Sequence, residues 1–152
     1  SDGGRHEVAS AVDQILNEEE KLGVSQRDFY LNFQEKAEKS RDHFIEFLEC
    51  AKEEGKRVAG YGAAAKGNTL LNFAGINAEL LSYIVDQNPA KQGKRTPGSR
   101  IPIVTEAHLR GDKPDYVIIF PWNLKEEVMS LMGYITVWGG RFVIPVPEVE
   151  VV

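Results

Sequence analysis

Apolar residues in the first third of the chain recur at helical spacing. Val12, Ile15, Leu16 and Leu22 share one face of a helix. Ser10 offers a capping oxygen at its start, Asp13 an acid near the N-terminal dipole, and Gly23 a stop. Ser25 and Asp28 repeat the start signal. Phe29, Phe33, Ala37, Phe44, Leu48 and Ala51 then predict one long amphipathic helix from about Arg27 to Glu54, closed by Gly55. Its aromatic stripe reads as core or as an interdomain seam. Residues 1–9 show no such pattern and read as a flexible lead-in.

After Gly55 short apolar runs alternate with helical segments. Arg57 to Tyr61, Leu81 to Val85, Ile101 to Val104, Tyr116 to Phe120 and Arg141 to Ile144 read as strands. Ala63 to Ala74 reads as a helix, Thr105 caps a second that runs through Leu109, and Asn123 caps a third that runs to about Met132. A Pro-containing tail follows. Such alternation implies right-handed parallel crossovers and a sheet covered on both faces. The expected fold is α/β: a Rossmann-like, mostly parallel sheet flanked by helices. A helical N-terminal extension over residues 1–54 precedes the core over residues 55–152.

Composition narrows the classes. The chain has 152 residues, 42% apolar and 27% charged, which suits one folded domain rather than a disordered or collagen-like chain. The longest apolar runs, such as Tyr116 to Trp122, fall well short of the ~20 residues that span a bilayer. The acidic first 20 residues lack an apolar stretch of the signal-peptide kind. A cytoplasmic location is expected, with no membrane partner. Cys50 is the only cysteine, so no intrachain disulfide forms, and it reads as a small buried or half-buried helix residue. His6, His43 and His108 are scattered and show no metal-ligand spacing. G-x-S-x-G is absent, which argues against a serine-hydrolase elbow.

Charge is uneven. Residues 1–54 hold 14 acidic and 7 basic groups, residues 55–152 hold 9 and 11, and the whole carries −5. An acidic total speaks against nucleic acid as a partner, while leaving room for a local site for one anion.

Ligands on such sheets bind beyond the carboxyl ends of the strands, which selects three loops. In the first, Gly60-Tyr61-Gly62-Ala63-Ala64-Ala65 satisfies G-x-G-x-x-G/A between a strand and a helix. Gly62 makes the turn, and Ala63 and Ala64 let a ligand approach the backbone. Helix amides then face an anion, Lys66 adds a charge, and Gly67, Asn68 and Thr69 follow. The alternative is that the glycines only make a tight turn. It is not a P-loop, and Ala64 makes it a poor methyl-donor loop. Asp86 ends the second strand 24 residues after Gly62, near the position that holds a ribose hydroxyl in dinucleotide folds. The second loop, Asp86 to Arg100, holds four cations and one anion and is longer than βα loops usually are. The third, Phe120-Pro121-Trp122-Asn123, puts a Trp at a strand end, where it stacks on a flat ring or covers the core.

These motifs, taken in order, resemble a known family. Gly60 to Leu71, Val85-Asp86-Gln87-Asn88-Pro89, Lys91-Gln92-Gly93, Thr96-Pro97-Gly98, Ile101-Pro102-Ile103 and Pro121-Trp122-Asn123-Leu124 look like the C-terminal domain of sugar C-methyltransferases, over roughly residues 8–147. The resemblance implies a Rossmann-like domain that helps anchor a nucleotide-diphosphate sugar. It implies substrate-binding roles for Tyr61, Gly62, Ala63, Ala64, Lys66, Gly67, Asn68, Thr69, Asp86, Gln87, Asn88, Lys91, Gln92, Thr96, Pro121, Trp122 and Asn123. It implies that zinc and S-adenosylmethionine belong to other domains of a longer enzyme, that this stretch holds neither, and that it carries no catalytic residue and is inactive alone. Two other classes compete. One is an NAD(P)-type dinucleotide-binding domain; the other is a non-catalytic scaffold or oligomerisation module with the Phe-rich helix as its seam.

Overall fold

A computed structural model describes residues 10–152, and the lead-in expected over residues 1–9 lies outside them. The chain divides into two compact units, residues 1–37 and 38–152. In the first, α1 spans Ser10–Leu22 and buries none of its residues. The long helix expected from Arg27 is broken. A four-residue helix α2, Arg27–Tyr30, precedes α3, Phe33–Glu53. Leu31 is extended and Asn32 takes a φ of 69°, a left-handed conformation that asparagine tolerates better than most residues. The break takes Phe29 off the long helix. Phe29 and Phe33 are 46% and 68% exposed, whereas Phe44 and Leu48 on α3 are fully buried. Cys50 is exposed, against expectation. It lies two residues beyond Leu48, about 200° round a helix of 3.6 residues per turn, so it shares no face with that core residue.

The second unit holds a six-stranded sheet. Its strands are β1 Val58–Tyr61, β2 Ile84–Val85, β3 Ile103–Val104, β4 Tyr116–Ile119, β5 Arg141–Ile144 and β6 Glu150–Val151. Their spatial order is β3-β2-β1-β4-β5-β6. Every pair is parallel except β5 with β6. Gly60 stands opposite both Ile84 and Ile118 at the sheet centre. The Rossmann-like reading is therefore correct, with a last antiparallel strand where only a tail was expected. β2 is shorter than its apolar run: Tyr83 gives Gly60 a carbonyl, but the ladder is regular only at Ile84 and Val85.

Two apolar layers cover the sheet. Along β4 alternate side chains point to opposite faces. Ile118 and the following Phe120 join Phe44, Leu48, Leu70 and Leu71, from α3 and from α4, Ala65–Phe73. Val117 and Ile119 join Leu109 of α5, Glu106–Asp112, and Val128 of α6, Lys125–Leu131. Thr105 caps α5 as expected, its hydroxyl accepting from the His108 amide. Asn123 does not cap α6. It lies within a 3₁₀ turn, Trp122–Leu124, and Leu124 stands at the N-cap with no side-chain bond to offer. The Asn123 oxygen is used elsewhere.

Candidate functional site

Strand order reverses between β1 and β4, and the loops after these two strands leave the same edge of the sheet. A crevice at such a switch point is where α/β sheets place ligands. Gly62, at φ 90°, turns the chain out of β1, and a Cβ there would lie 2.7 Å from Pro121 Cδ. Gly67 brings α4 onto the sheet: a Cβ there would lie 2.8 Å from Cγ of the buried Phe120. Close approach of backbone to the β4 end is thus what these two positions require.

Ala64 occupies the N-cap of α4 and makes no side-chain cap bond. The amides of the first turn therefore lack the oxygen that Ser, Thr, Asn or Asp would give them. Beside this turn Lys66 Nζ donates to Asn123 Oδ1 at 2.8 Å and stands 5.4 Å from the Trp122 ring centroid. One ammonium so joins the first and third loops. Asn68 Oδ1 is buried and has no hydrogen-bond partner among the described residues. An open buried acceptor costs about 1–3 kcal/mol.

The second loop is tied to the first through Asp86, which is 8% exposed. Its Oδ2 accepts from the Ala63 amide at 2.9 Å and from Lys91 Nζ at 2.8 Å, and its Oδ1 accepts from the Asn88 amide at 2.9 Å. Lys91 Nζ also donates to the Ala63 carbonyl. Gln92 Nε2 donates to the Asp86 carbonyl, and the Ala90 amide to Asn88 Oδ1. Thr96 is buried near the loop's far end, where its hydroxyl meets Ser99 Oγ and accepts from the Ile101 amide. Thr69 Oγ1 donates to Ala65 O on its own helix, and Gln87 is exposed. Burial, and then the carboxylates of Glu106, Asp86 and Glu127, push the Tyr61 phenol up.

Among the described residues no three or more His, Cys, Asp or Glu side chains gather to hold a metal, and no helix is long and apolar enough to cross a membrane. One feature of this edge was not anticipated from sequence. A cleft of about 450 Å³ lies beside Trp122, walled by Ile144 and by the chain from Val146 to Glu150 that leads into β6. The alternation Glu148-Val149-Glu150-Val151 is the signal that marks a strand there.

The sequence has counterparts. A family model described as the C-methyltransferase C-terminal domain matches residues 1–147. The C-methyltransferase NovU of Streptomyces niveus is 37% identical over 147 residues, which is 97% of this chain and 35% of NovU. The chain thus spans about a third of that relative's length.

Proposed function

This chain belongs to the C-methyltransferase C-terminal domain family, and on that premise we propose that it anchors an NDP-deoxysugar for S-adenosylmethionine-dependent C-methylation. The observation that carries the reading is the uncapped first turn of α4 beside the Lys66 ammonium, at the switch point of the sheet. Backbone amides at a helix start, a helix dipole and one cation make a place for a diphosphate. Asp86 braces the loop from Ala63, and its three protein donors leave one of about four lone-pair directions for a sugar or ribose hydroxyl. Pro121, Trp122 and Asn123 form the opposite wall.

The whole enzyme, on this reading, is a cytoplasmic polypeptide whose other parts hold zinc and the methyl donor, and the present domain is their partner. Neither group fits the described residues. Among the described residues no cluster of three or more His, Cys, Asp or Glu side chains gathers for zinc, and the β1–α4 turn has Ala64 where a methyl-donor loop needs glycine. On this reading the domain's part is to bind and orient.

An NAD-type dinucleotide reading is less well supported. In its fingerprint the third small residue packs helix against strand. Here Ala65 occupies that position and is exposed, and the close packing is made by Gly67, two residues on. Calorimetric titration with an NDP-deoxysugar, with NAD and with inorganic pyrophosphate tests the assignment. The nucleotide sugar and pyrophosphate should bind, and Lys66→Ala should weaken both. Binding of NAD alone would sink the reading.

A further inference from the structure

We propose that the apolar stripe of α1, with the exposed apolar side chains that follow it as far as Phe33, is the docking face for the remainder of the C-methyltransferase polypeptide. The inference rests on the reading of this chain as one domain of a longer enzyme and adds the surface by which the domain is held.

Exposed apolar side chains are concentrated there. Among the described residues thirteen large ones stand exposed, and eight of them lie between Val12 and Phe33, at 44–68% of full exposure. Single exposed apolar residues are ordinary, whereas a concentration of them marks an interaction surface. On α1 Val12, Ile15, Leu16 and Leu22 follow the spacing of one helix face, the pattern of a helix that lies against something. Yet α1 buries none of its 13 residues. A helix shorter than about 12–15 residues is marginal in water unless one face is packed. α2 is four residues long and has no side-chain cap bond. Both therefore call for a cover that the described residues do not supply.

Two observations choose the occupant. The matching family is a C-terminal domain, and the 147 matched residues are 35% of NovU, so most of such an enzyme lies outside this chain. A C-terminal domain meets the rest of its enzyme at its amino end, where α1 and α2 stand. Charge speaks against a second copy of this chain in that place. α1 carries Asp13, Glu18, Glu19 and Glu20 against Lys21 alone, and two such helices repel. Glu19 follows Val12 by seven residues, about two turns, and so falls within the apolar stripe itself. The partner surface is thus an apolar groove with a Lys or Arg set to meet Glu19.

The test compares the 152-residue chain with the complete gene product by amide hydrogen exchange, thermal midpoint and light scattering. The α1 amides should exchange at least about tenfold more slowly in the complete enzyme, because docking suppresses local opening. Leu16→Glu and Glu19→Lys should each remove that protection and lower the midpoint of the complete enzyme, while leaving the midpoint of the 152-residue chain unchanged. Glu19→Lys takes away no apolar surface and carries the test if the Leu16→Glu enzyme does not fold. Equal exchange in the two proteins would overturn the docking face, and the longer-enzyme reading would stand if the complete enzyme methylates an NDP-deoxysugar. Protection that survives both variants would also overturn it. A lower midpoint of the 152-residue chain in Leu16→Glu would assign the stripe to this domain's own core and overturn the proposal. A dimer of the 152-residue chain that Leu16→Glu dissociates would replace it with self-association. A complete gene product no longer than this chain would remove the longer-enzyme reading and the docking face with it.

Discussion

Lys66 Nζ and Asn123 Oδ1 lie 2.8 Å apart, a single bond that joins the helix after β1 to the turn after β4. Because it crosses the switch point, it fixes a cation at the mouth of the crevice. Lys66 is exposed, so its removal should change folding stability by no more than about 0.5 kcal/mol. Lys66→Ala should nevertheless weaken pyrophosphate and nucleotide-sugar binding, and more so at low salt, where screening is weaker. Asp86→Ala should lower affinity with little dependence on salt if, as proposed, its part is to brace the loop from Ala63 and meet a hydroxyl of the ligand. Titrations of both variants at two ionic strengths separate these outcomes. Unchanged affinity in Lys66→Ala would leave the glycines as a turn and nothing more.

Gly67→Ala should destabilise the fold by about 1–3 kcal/mol, the usual cost of overpacking a core. The added methyl would lie 2.8 Å from Phe120 Cγ and 2.9 Å from its Cβ, and Phe120 is fully buried with nowhere to move. Helix propensity alone would favour alanine by about 0.5–1 kcal/mol, so the sign of the measured change distinguishes the two effects. A more stable variant would show that α4 can lift from the sheet without loss.

Much of this was legible in the chain. The parallel strands follow from apolar runs such as Tyr116 to Ile119, and the positions of the three candidate loops follow from the ends of those runs. What escaped prediction has local causes. Asn123 carries a capping side chain, yet its oxygen is engaged by Lys66, 57 residues away, and no local rule registers that competition. The helix break at Leu31 and Asn32 hides within an unbroken helical periodicity, because a left-handed asparagine shifts the chain without changing the hydrophobic count. From sequence β6 reads as part of a tail, because the alternation from Glu148 to Val151 is short and follows directly on Pro145 and Pro147, and only pairing with β5 makes it a strand. The cleft beside Trp122 exists only once that pairing is made.

Phe44 and Phe33 should respond differently to truncation, although both lie on α3 in the aromatic stripe. Phe44 is fully buried among Leu48, Leu70, Leu71 and Phe120. Phe44→Ala should cost about 3–5 kcal/mol. Phe33, at 68% exposed, should cost no more than about 0.5 kcal/mol. Urea midpoints with an unchanged slope report both values. A large loss from Phe33→Ala would mean that its ring has a partner that its exposure does not show.

Asp115 gives the fold an acid-sensitive clasp at the amino end of the sheet. Its carboxylate accepts the Arg57 amide at 2.9 Å and lies 3.6 Å from Lys56 Nζ. The Arg57 hydrogen bond is the main reason that its pKa falls below the usual aspartate value, with Lys56 adding to it against a desolvation that works the other way. A lowered folded-state pKa means that the ionised form is held better in the native state than in the unfolded chain. The resulting stability is present above the unfolded value of about 3.9 and is lost as pH falls through the folded one. Asp115→Asn keeps an acceptor for the Arg57 amide but removes the charge. The variant should therefore be less stable than the parent at pH 7, by a modest amount because the side chain is 38% exposed and screened. The gap should close as pH is lowered through the acid range, which urea midpoints at pH 7 and at about pH 3 would show. A gap of the same size at both would assign the loss to altered hydrogen-bond geometry at Arg57 and not to the carboxylate charge.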